Sequence, residues 1–178
     1  MSQRQLNILP LTPENFAPFG DVIQTQDQDF FLINKGSTRR YHQLANVDVG
    51  TGEAIISIFE ATPLTYPLTI EMMERHPLGS QAFMPLFGNP YLVVVAPPTD
   101  ALDPDSICAF YSNGKQGVNY HSGVWHHPVL ALTPNDQFLI VDRSGEGNNC
   151  DEVDISPQQQ WVLSLEDGPE CIKQGSKE

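Results

Sequence analysis

Residues 91–96 read Tyr-Leu-Val-Val-Val-Ala, an uninterrupted apolar run. A run of this length and composition is typical of a strand that is buried on both faces, so we expect it to pass through the core of the protein. A membrane-spanning helix would need about 20 apolar residues, and this stretch is far shorter. The run therefore predicts the central strand of a β-rich globular domain.

Further short strands are expected on both sides of this run. The strand predicted over residues 107–112 ends at Asn113-Gly114, a dipeptide that favours a two-residue hairpin turn. The 15 prolines and 13 glycines also favour frequent turns. The predicted strands, about ten in number and regularly spaced, cover residues 7–11, 21–26, 54–60, 68–75, 81–85, 91–96, 107–112, 118–121, 124–132 and 137–143.

This pattern predicts one all-β domain with a jelly-roll barrel, the double-stranded β-helix, and a few short helices. One helical turn is expected over residues 12–19, with Thr12 as its N-cap and Pro13 in the first helical position. Residues 158–165 are expected to form a closing strand or a short helix. The domain is predicted to cover residues 1–165, and residues 166–178 are expected to form a flexible C-terminal tail.

The net charge and the cysteine content indicate which partners and which cellular compartment to expect. The chain has a formal net charge of −13, which disfavours binding to nucleic acid or to anionic membranes. The three cysteines are an odd number without CxxC spacing, which fits free thiols in a reducing compartment. The N-terminus lacks the apolar segment of a signal peptide. We therefore expect a cytoplasmic protein.

Two short constellations carry the side chains that are suited to chemistry. In the first, Glu74 and His76 are two residues apart, so both point to one face if the segment is a strand. Gln81 and Gly88 follow in the same segment. In the second, Gly123-Val124-Trp125-His126-His127 places two adjacent histidines after a glycine turn. Only one of two neighbouring histidines can face the interior of a barrel, and His126 is the better candidate.

These spacings resemble the two motifs of the cupin superfamily. The first cupin motif has two histidines two apart, then an acid and a glycine, and the second motif has Gly-x-x-His. Here Glu74 stands in the place of the first histidine and Gln81 in the place of the acid. Glu74, His76, Gln81 and His126 could bind a divalent metal in mixed nitrogen and oxygen coordination. The same residues could instead form a hydrogen-bonded network without a metal, and the sequence leaves both alternatives open.

A closer resemblance covers residues 6–165. The segments that carry it are Asp-Phe-Phe-Leu-Ile-Asn (29–34), Pro-Leu-Thr-Ile (67–70), Glu-Arg-His-Pro-Leu-Gly-Ser-Gln-Ala-Phe (74–83), Asn-Gly-Lys-Gln-Gly-Val-Asn-Tyr-His (113–121), Gly-Val-Trp-His-His-Pro (123–128) and Asp-Arg (142–143). They look like the ureidoglycolate lyases. The resemblance implies release of urea from (S)-ureidoglycolate to leave glyoxylate, in the breakdown of allantoin. It also implies a homodimer and a bound nickel or other divalent metal, and we expect no organic cofactor.

The substrate is a carbinolamide with a carboxylate, so its cleavage needs a base, an acid and a cation. Histidine and glutamate can serve as base and acid near neutral pH. We therefore expect His76, His126 and Glu74 to be catalytic. Arginine suits a carboxylate, which makes Arg75 a candidate for substrate binding. However, Arg75 follows Glu74, so on a regular strand its side chain points to the other face.

Three further residues are assigned to substrate binding. Gln81 lies in the first constellation, and Asn119 and His121 lie on a strand that faces the second one. Tyr120 alternates with them and is expected to face away from the pocket into the core. Two other functions remain open: another cupin enzyme acting on a small carboxylic acid through a metal, and a non-catalytic sensor of a small acid.

Overall fold

The computed structural model describes residues 4–169 and consists almost entirely of β-strands. In chain order the strands are β1 (Arg4–Gln5), β2 (Ile8–Pro10), β3 (Gly20–Ile23), β4 (Phe31–Ile33), β5 (Thr38–Arg40), β6 (Glu53–Ala61), β7 (Leu68–Ile70), β8 (Met72–Arg75), β9 (Gln81–Pro85), β10 (Tyr91–Ala96), β11 (Cys108–Ser112), β12 (Gly117–Tyr120), β13 (Trp125–His126), β14 (Leu130–Ala131), β15 (Asp136–Ser144), β16 (Asp151–Asp154) and β17 (Trp161–Leu163). The helices are α1 (Pro13–Phe16) and the 3-10 turns Asn34–Gly36, Pro104–Ser106 and Leu165–Asp167. The prediction of an all-β fold with a few short helices is therefore confirmed. Within residues 4–169 no helix has the length and apolar character needed to cross a membrane.

Three sheets form successive layers. Sheet I has the order β3-β12-β9-β15-β6, sheet II has the order β16-β8-β13-β10-β11-β2 with β14 also on β10, and sheet III has the order β1-β17-β7. Strands β4 and β5 pair only with each other. Sheets I and II form a cupin-like sandwich that is not a closed barrel. A short loop connects the end of β15 to the start of β16. Because β6 is the edge strand next to β15, β6 and β16 lie on the same side of the sandwich.

The strand at residues 91–96 has the central position that its composition predicts. Alternate side chains of β10 enter two different cores, as the period of a strand requires. Tyr91, Val93 and Val95 pack between sheets I and II with Phe83, Phe110, Phe138 and Ile140. Leu92, Val94 and Ala96 pack between sheets II and III with Ile70, Met73, Trp125 and Leu163. All six residues of β10 are buried.

Several predicted element boundaries differ from the structure. The predicted strand at 68–75 is divided at Glu71 into β7 of sheet III and β8 of sheet II, and the one at 124–132 is divided into β13 and β14. Strands β1, β4, β5 and β16 lie outside the predicted strands. Thr12 caps α1 as expected, accepting a hydrogen bond from the Asn15 amide. Residues 170–178, most of the predicted tail, lie outside the described residues, as does Cys171.

Candidate active site

Glu74, His76 and His126 converge on the face of sheet II that is turned toward sheet I. Strands β8 and β13 are antiparallel neighbours, and their register places His126 directly opposite Glu74. The Nε2 atom of His126 lies 3.4 Å from Oε1 of Glu74, and the His76 and His126 rings are 5.1 Å apart. One ligand atom from each of the three residues lies within 4.8 Å of the others. We call these residues the trio.

Backbone carbonyl groups fix the orientation of both histidines. Nδ1 of His76 lies 2.6 Å from the carbonyl oxygen of Asn149, and Nδ1 of His126 lies 3.0 Å from that of Val124. A carbonyl group can only accept a hydrogen bond, so each Nδ1 carries the hydrogen. A neutral ring then has its lone pair on Nε2. Both Nε2 atoms are buried without a hydrogen-bond partner, and both belong to the trio.

The trio therefore presents electron pairs without a donor hydrogen between them. Two imidazole nitrogens and a carboxylate are ordinary ligands for nickel, zinc or iron in the divalent state. Carbonyl groups on the far side of metal-binding histidines commonly orient the rings in this way. The residues thus fit a divalent metal ion. The same residues could instead share a proton, because a protonated His126 could donate a hydrogen bond to Glu74.

The charge of Glu74 is favoured by its neighbours. Its carboxyl pKa is lowered from the usual 4.5, mainly by the close contact with His126, whose Nε2 lies 3.4 Å away, while burial acts in the opposite direction. The side chain is 21% exposed, so it is shielded but remains accessible from one side. Glu74 is therefore ionised at neutral pH, when it can stabilise a cation beside it.

Sheet I covers the trio with an aromatic ring and two polar side chains. The ring of Tyr120 stacks on that of His126, with centroids 4.5 Å apart and planes inclined by 23°. Tyr120 is paired with Gln81 across β12 and β9. The Gln81 amide donates to Asp142 over 3.1 Å, and one oxygen of each of these two side chains is buried without a partner. The part of sheet I that faces the trio thus has two oxygen atoms that can still accept hydrogen bonds.

Comparisons with known proteins agree with this geometry. A family model described as ureidoglycolate lyase matches residues 3–163. A protein named ureidoglycolate lyase from Stutzerimonas stutzeri strain A1501 is 63% identical over 162 residues, which are 90% of this chain and 95% of the relative. Proteins of the same name from Pseudomonas paraeruginosa strain PA7 and Pseudomonas putida strain W619 are 62% and 60% identical, again over 90% of this chain and over 96% and 98% of theirs. The chain belongs to the ureidoglycolate lyase family. The resemblance found from the motifs is confirmed.

In this member of the ureidoglycolate lyase family, Arg75 does not face the trio. Its Nε donates to Asp151 over 2.9 Å and its Nη1 to the carbonyl oxygen of Thr99 over 2.7 Å. The guanidinium lies 4.6 Å from the centre of a ring of Trp125, on the side of sheet II that is turned toward sheet III. The alternation of the strand predicted this direction. Arg75 is thus engaged in contacts within its own layer.

Asn119 and His121 also lie apart from the trio. The side chain of Asn119 donates to Asp21 and to the carbonyl oxygen of Asn46, both over 3.0 Å. His121 lies 3.1 Å from the same carboxylate, beside a cavity of about 300 Å³ on the outer side of sheet I. Alternation turns Tyr120 inward instead. The expectation that Tyr120 belongs to the core is confirmed, but the expectation that it faces away from the histidines was wrong.

Two contributors to the site were missed by the sequence analysis. Asp142 was recognised only as part of a matching segment, yet it is the partner of Gln81. The second contributor is the loop after β15, whose Asn149 carbonyl orients His76. Arg143 holds this loop through hydrogen bonds to the carbonyl oxygens of Val49 and Glu146. The alternation along residues 137–143 would have placed Asp142 inward, whereas nothing in the sequence indicates the carbonyl contact.

Proposed function

We propose that this protein is a ureidoglycolate lyase, which cleaves (S)-ureidoglycolate to glyoxylate and urea. The observation that carries the proposal is the convergence of Glu74, His76 and His126 in a chain that is about 60% identical to proteins of that name. The reaction needs one proton to leave the hydroxyl oxygen and one to reach the departing nitrogen. A neutral imidazole beside a carboxylate is suited to both transfers.

The proton balance can be followed through His126. Its Nε2 lone pair accepts the hydroxyl proton, the carbon–oxygen double bond forms and the carbon–nitrogen bond breaks. The imidazolium that results is stabilised by Glu74 at 3.4 Å. It then returns the proton to the urea nitrogen, so the site ends in its starting state. No oxidant or reductant is required.

As the alternative to His126 as the base, we propose that the trio holds a divalent metal ion, with nickel as the ion that the family resemblance implies; the His126 lone pair would then bind the ion and not the proton. The support is the pair of buried Nε2 atoms without a partner, each fixed by a carbonyl group. Such an ion would lower the pKa of a bound hydroxyl group. The chain's own part is to supply two oriented imidazoles and one carboxylate. Gln81, which was predicted as a fourth ligand, donates its amide hydrogen to Asp142, and its Oε1 atom is buried without a partner, so it stays a proposed ligand.

Two further features complete the proposal. We propose a cytoplasmic location, supported by the acidic charge and by the free thiols of Cys108 and Cys150. We also propose a homodimer, supported by exposed apolar side chains on β6, among them Ile56 at 73% and Ile58 at 59%. The substrate is the expected small-molecule partner, and nucleic acid and membranes are not expected to bind.

The experiment is to supply purified protein with (S)-ureidoglycolate and to measure glyoxylate, urea and ammonia separately. Equal amounts of glyoxylate and urea are expected. Ammonia in place of urea would indicate hydrolysis of the amide and would overturn the lyase assignment. The metal is tested in the same assay after chelation. We expect activity to be lost on chelation and to return with Ni²⁺. Full activity in a preparation shown to be metal-free would mean that the histidines transfer the protons without a metal ion.

A further inference from the structure

The hairpin of β4 and β5 projects from the body of the protein. We call residues 30–42 the arm. Its strands pair only with each other, and Phe30, Phe31 and Leu32 are 45%, 47% and 58% exposed. Within the arm, Arg39 lies over the Phe30 ring at 4.7 Å and Arg40 over the Phe31 ring at 5.9 Å. The large side chains of the arm therefore pack mainly on one another.

A two-stranded hairpin is marginal in water unless it packs against something else. The exposed phenylalanine and leucine side chains of its first strand are suited to burial in an interface. The arm is also the basic part of an acidic chain, since it contains Lys35, Arg39 and Arg40 and none of the 22 Asp and Glu residues. The surface that suits it is thus apolar and acidic. The body of a second copy, with most of the chain's net charge of −13, has these properties.

Strand β6 offers an apolar surface. It is the outermost strand of sheet I and pairs along one side only, with β15. Ile56 and Ile58 are exposed on its outer face. On its inner face Ile55 and Phe59, opposite Asp142 and Phe138, are still 38% and 39% exposed. The interior that contains the trio therefore opens to solvent along β6, the edge that a partner would cover.

Among residues 4–169 no lysine or arginine side chain lies beside the trio to bind the carboxylate of the substrate. Residues 4–169 contain the cations Arg4, Lys35, Arg39, Arg40, Arg75, Lys115 and Arg143. Arg4 pairs with Asp105, Arg75 with Asp151, and Arg143 with two carbonyl groups. Lys115 lies in the turn at the far end of β12 from Tyr120. Apart from the distant Lys115, only the cations of the arm are both exposed and free of an acidic partner among these residues.

We propose that the arm of a second copy lies along β6 and brings Arg39 and Arg40 to the open side of the trio, where they bind the substrate carboxylate. The contact is reciprocal, as a two-fold dimer requires: each arm crosses to the other body, and each body receives one arm. A planar guanidinium can bind a carboxylate through two parallel hydrogen bonds. Each active site is then complete only in the dimer. The inference deepens the proposed function and depends on it.

Two co-expressed chains with different affinity tags test the inference, because tandem purification isolates the mixed dimer. In the split arrangement, one chain carries Glu74→Gln and the other carries Arg39→Ala with Arg40→Ala. If arms act across the dimer, the intact trio receives the intact arm, and the mixed dimer has about half of the wild-type activity. If each arm serves its own body, both sites are damaged, and at substrate concentrations well below KM the split dimer has at most about a twentieth of the wild-type activity.

The matched control puts all three substitutions on one chain and pairs it with a wild-type chain. Exchange of arms predicts at most about a twentieth of the wild-type activity at low substrate here, because the intact trio receives the damaged arm. Action within one chain predicts half activity, so the two arrangements give opposite results. His76→Ala replaces Glu74→Gln in a second version of both dimers, and Lys115→Ala replaces the arm substitutions as a charge control that should leave activity unchanged.

Different results would overturn the inference and the proposed function. A wild-type protein that forms no glyoxylate would overturn the function itself. An active wild type that is monomeric by light scattering, or one whose arm variant keeps its KM for ureidoglycolate within about twofold, would overturn only the role of the arm. We expect the double arm variant to raise KM at least tenfold, as loss of a charged hydrogen-bonded pair worth about 1.5–3 kcal/mol implies.

Discussion

The two faces of the β8–β13 pair both carry charged side chains, but the hydrogen-bonding groups are satisfied on one face and partly unsatisfied on the other. On one face Arg75 is bonded to Asp151 and Thr99 and lies on Trp125, so its polar atoms are used. On the other face Glu74 meets His126, and two imidazole nitrogens are buried without a partner. Unpaired buried groups reduce the stability of a fold. The comparison indicates that the Arg75 face serves stability and that the Glu74 face serves binding and chemistry.

The largest effect is expected on the Glu74 face. Glu74→Gln keeps the shape of the side chain and removes its charge, and His76→Ala removes one imidazole. We expect each to lower kcat by roughly 10²–10⁴ with at most a small loss of stability, because acid–base and metal-binding groups are lost rather than packing. Steady-state kinetics and thermal unfolding measure the two quantities. A large loss of stability at unchanged kcat would reverse the assignment of the two faces.

Arg75→Gln should have the opposite signature. It removes the ion pair with Asp151, which is partly shielded from water, and the contact with Trp125. We expect the free energy of unfolding to fall by about 1–2 kcal/mol with kcat and KM nearly unchanged. Urea titration of the single variants and of the double variant with Asp151→Asn gives the coupling between the two side chains. A KM that rises tenfold would instead make Arg75 the carboxylate-binding residue that the sequence suggested.

The pH dependence of stability should differ between wild type and Glu74→Gln. The pKa of Glu74 is lower in the folded protein than its usual value of 4.5, so the ionised carboxylate stabilises the fold. This contribution is present above 4.5 and is lost as the pH falls through the folded-state pKa. Denaturation at pH 6 and at pH 4 should therefore show a smaller decrease in the variant. An equal decrease in both proteins would mean that Glu74 is not stabilised by His126.

The smallest effect is expected at the outer cluster of Asp21, Asn119 and His121. His121 is exposed there and bonded to Asp21, with no contact to the trio. His121→Ala should change kcat/KM by less than about threefold and stability by less than about 0.5 kcal/mol. A larger loss of kcat/KM would show that substrate binds on this side of sheet I.

The sequence predicted what depends on local pattern. Alternation indicated that Glu74 and His76 share a direction and that Arg75 points away, and the apolar run predicted β10 as the central strand. The meeting of β8 with β13 could be expected only from the cupin spacing, because it is a long-range pairing. The stacking of Tyr120 on His126 was missed, since it depends on which face of β12 meets sheet II. The Asn149 carbonyl was missed because a backbone group has no residue signature.

A crystal structure with glyoxylate bound tests the central claim most directly. We expect the glyoxylate oxygens within hydrogen-bond or metal-ligand distance of the Glu74, His76 and His126 side chains, between sheets I and II. Glyoxylate bound instead beside Asp21 and His121, with the trio untouched, would contradict it.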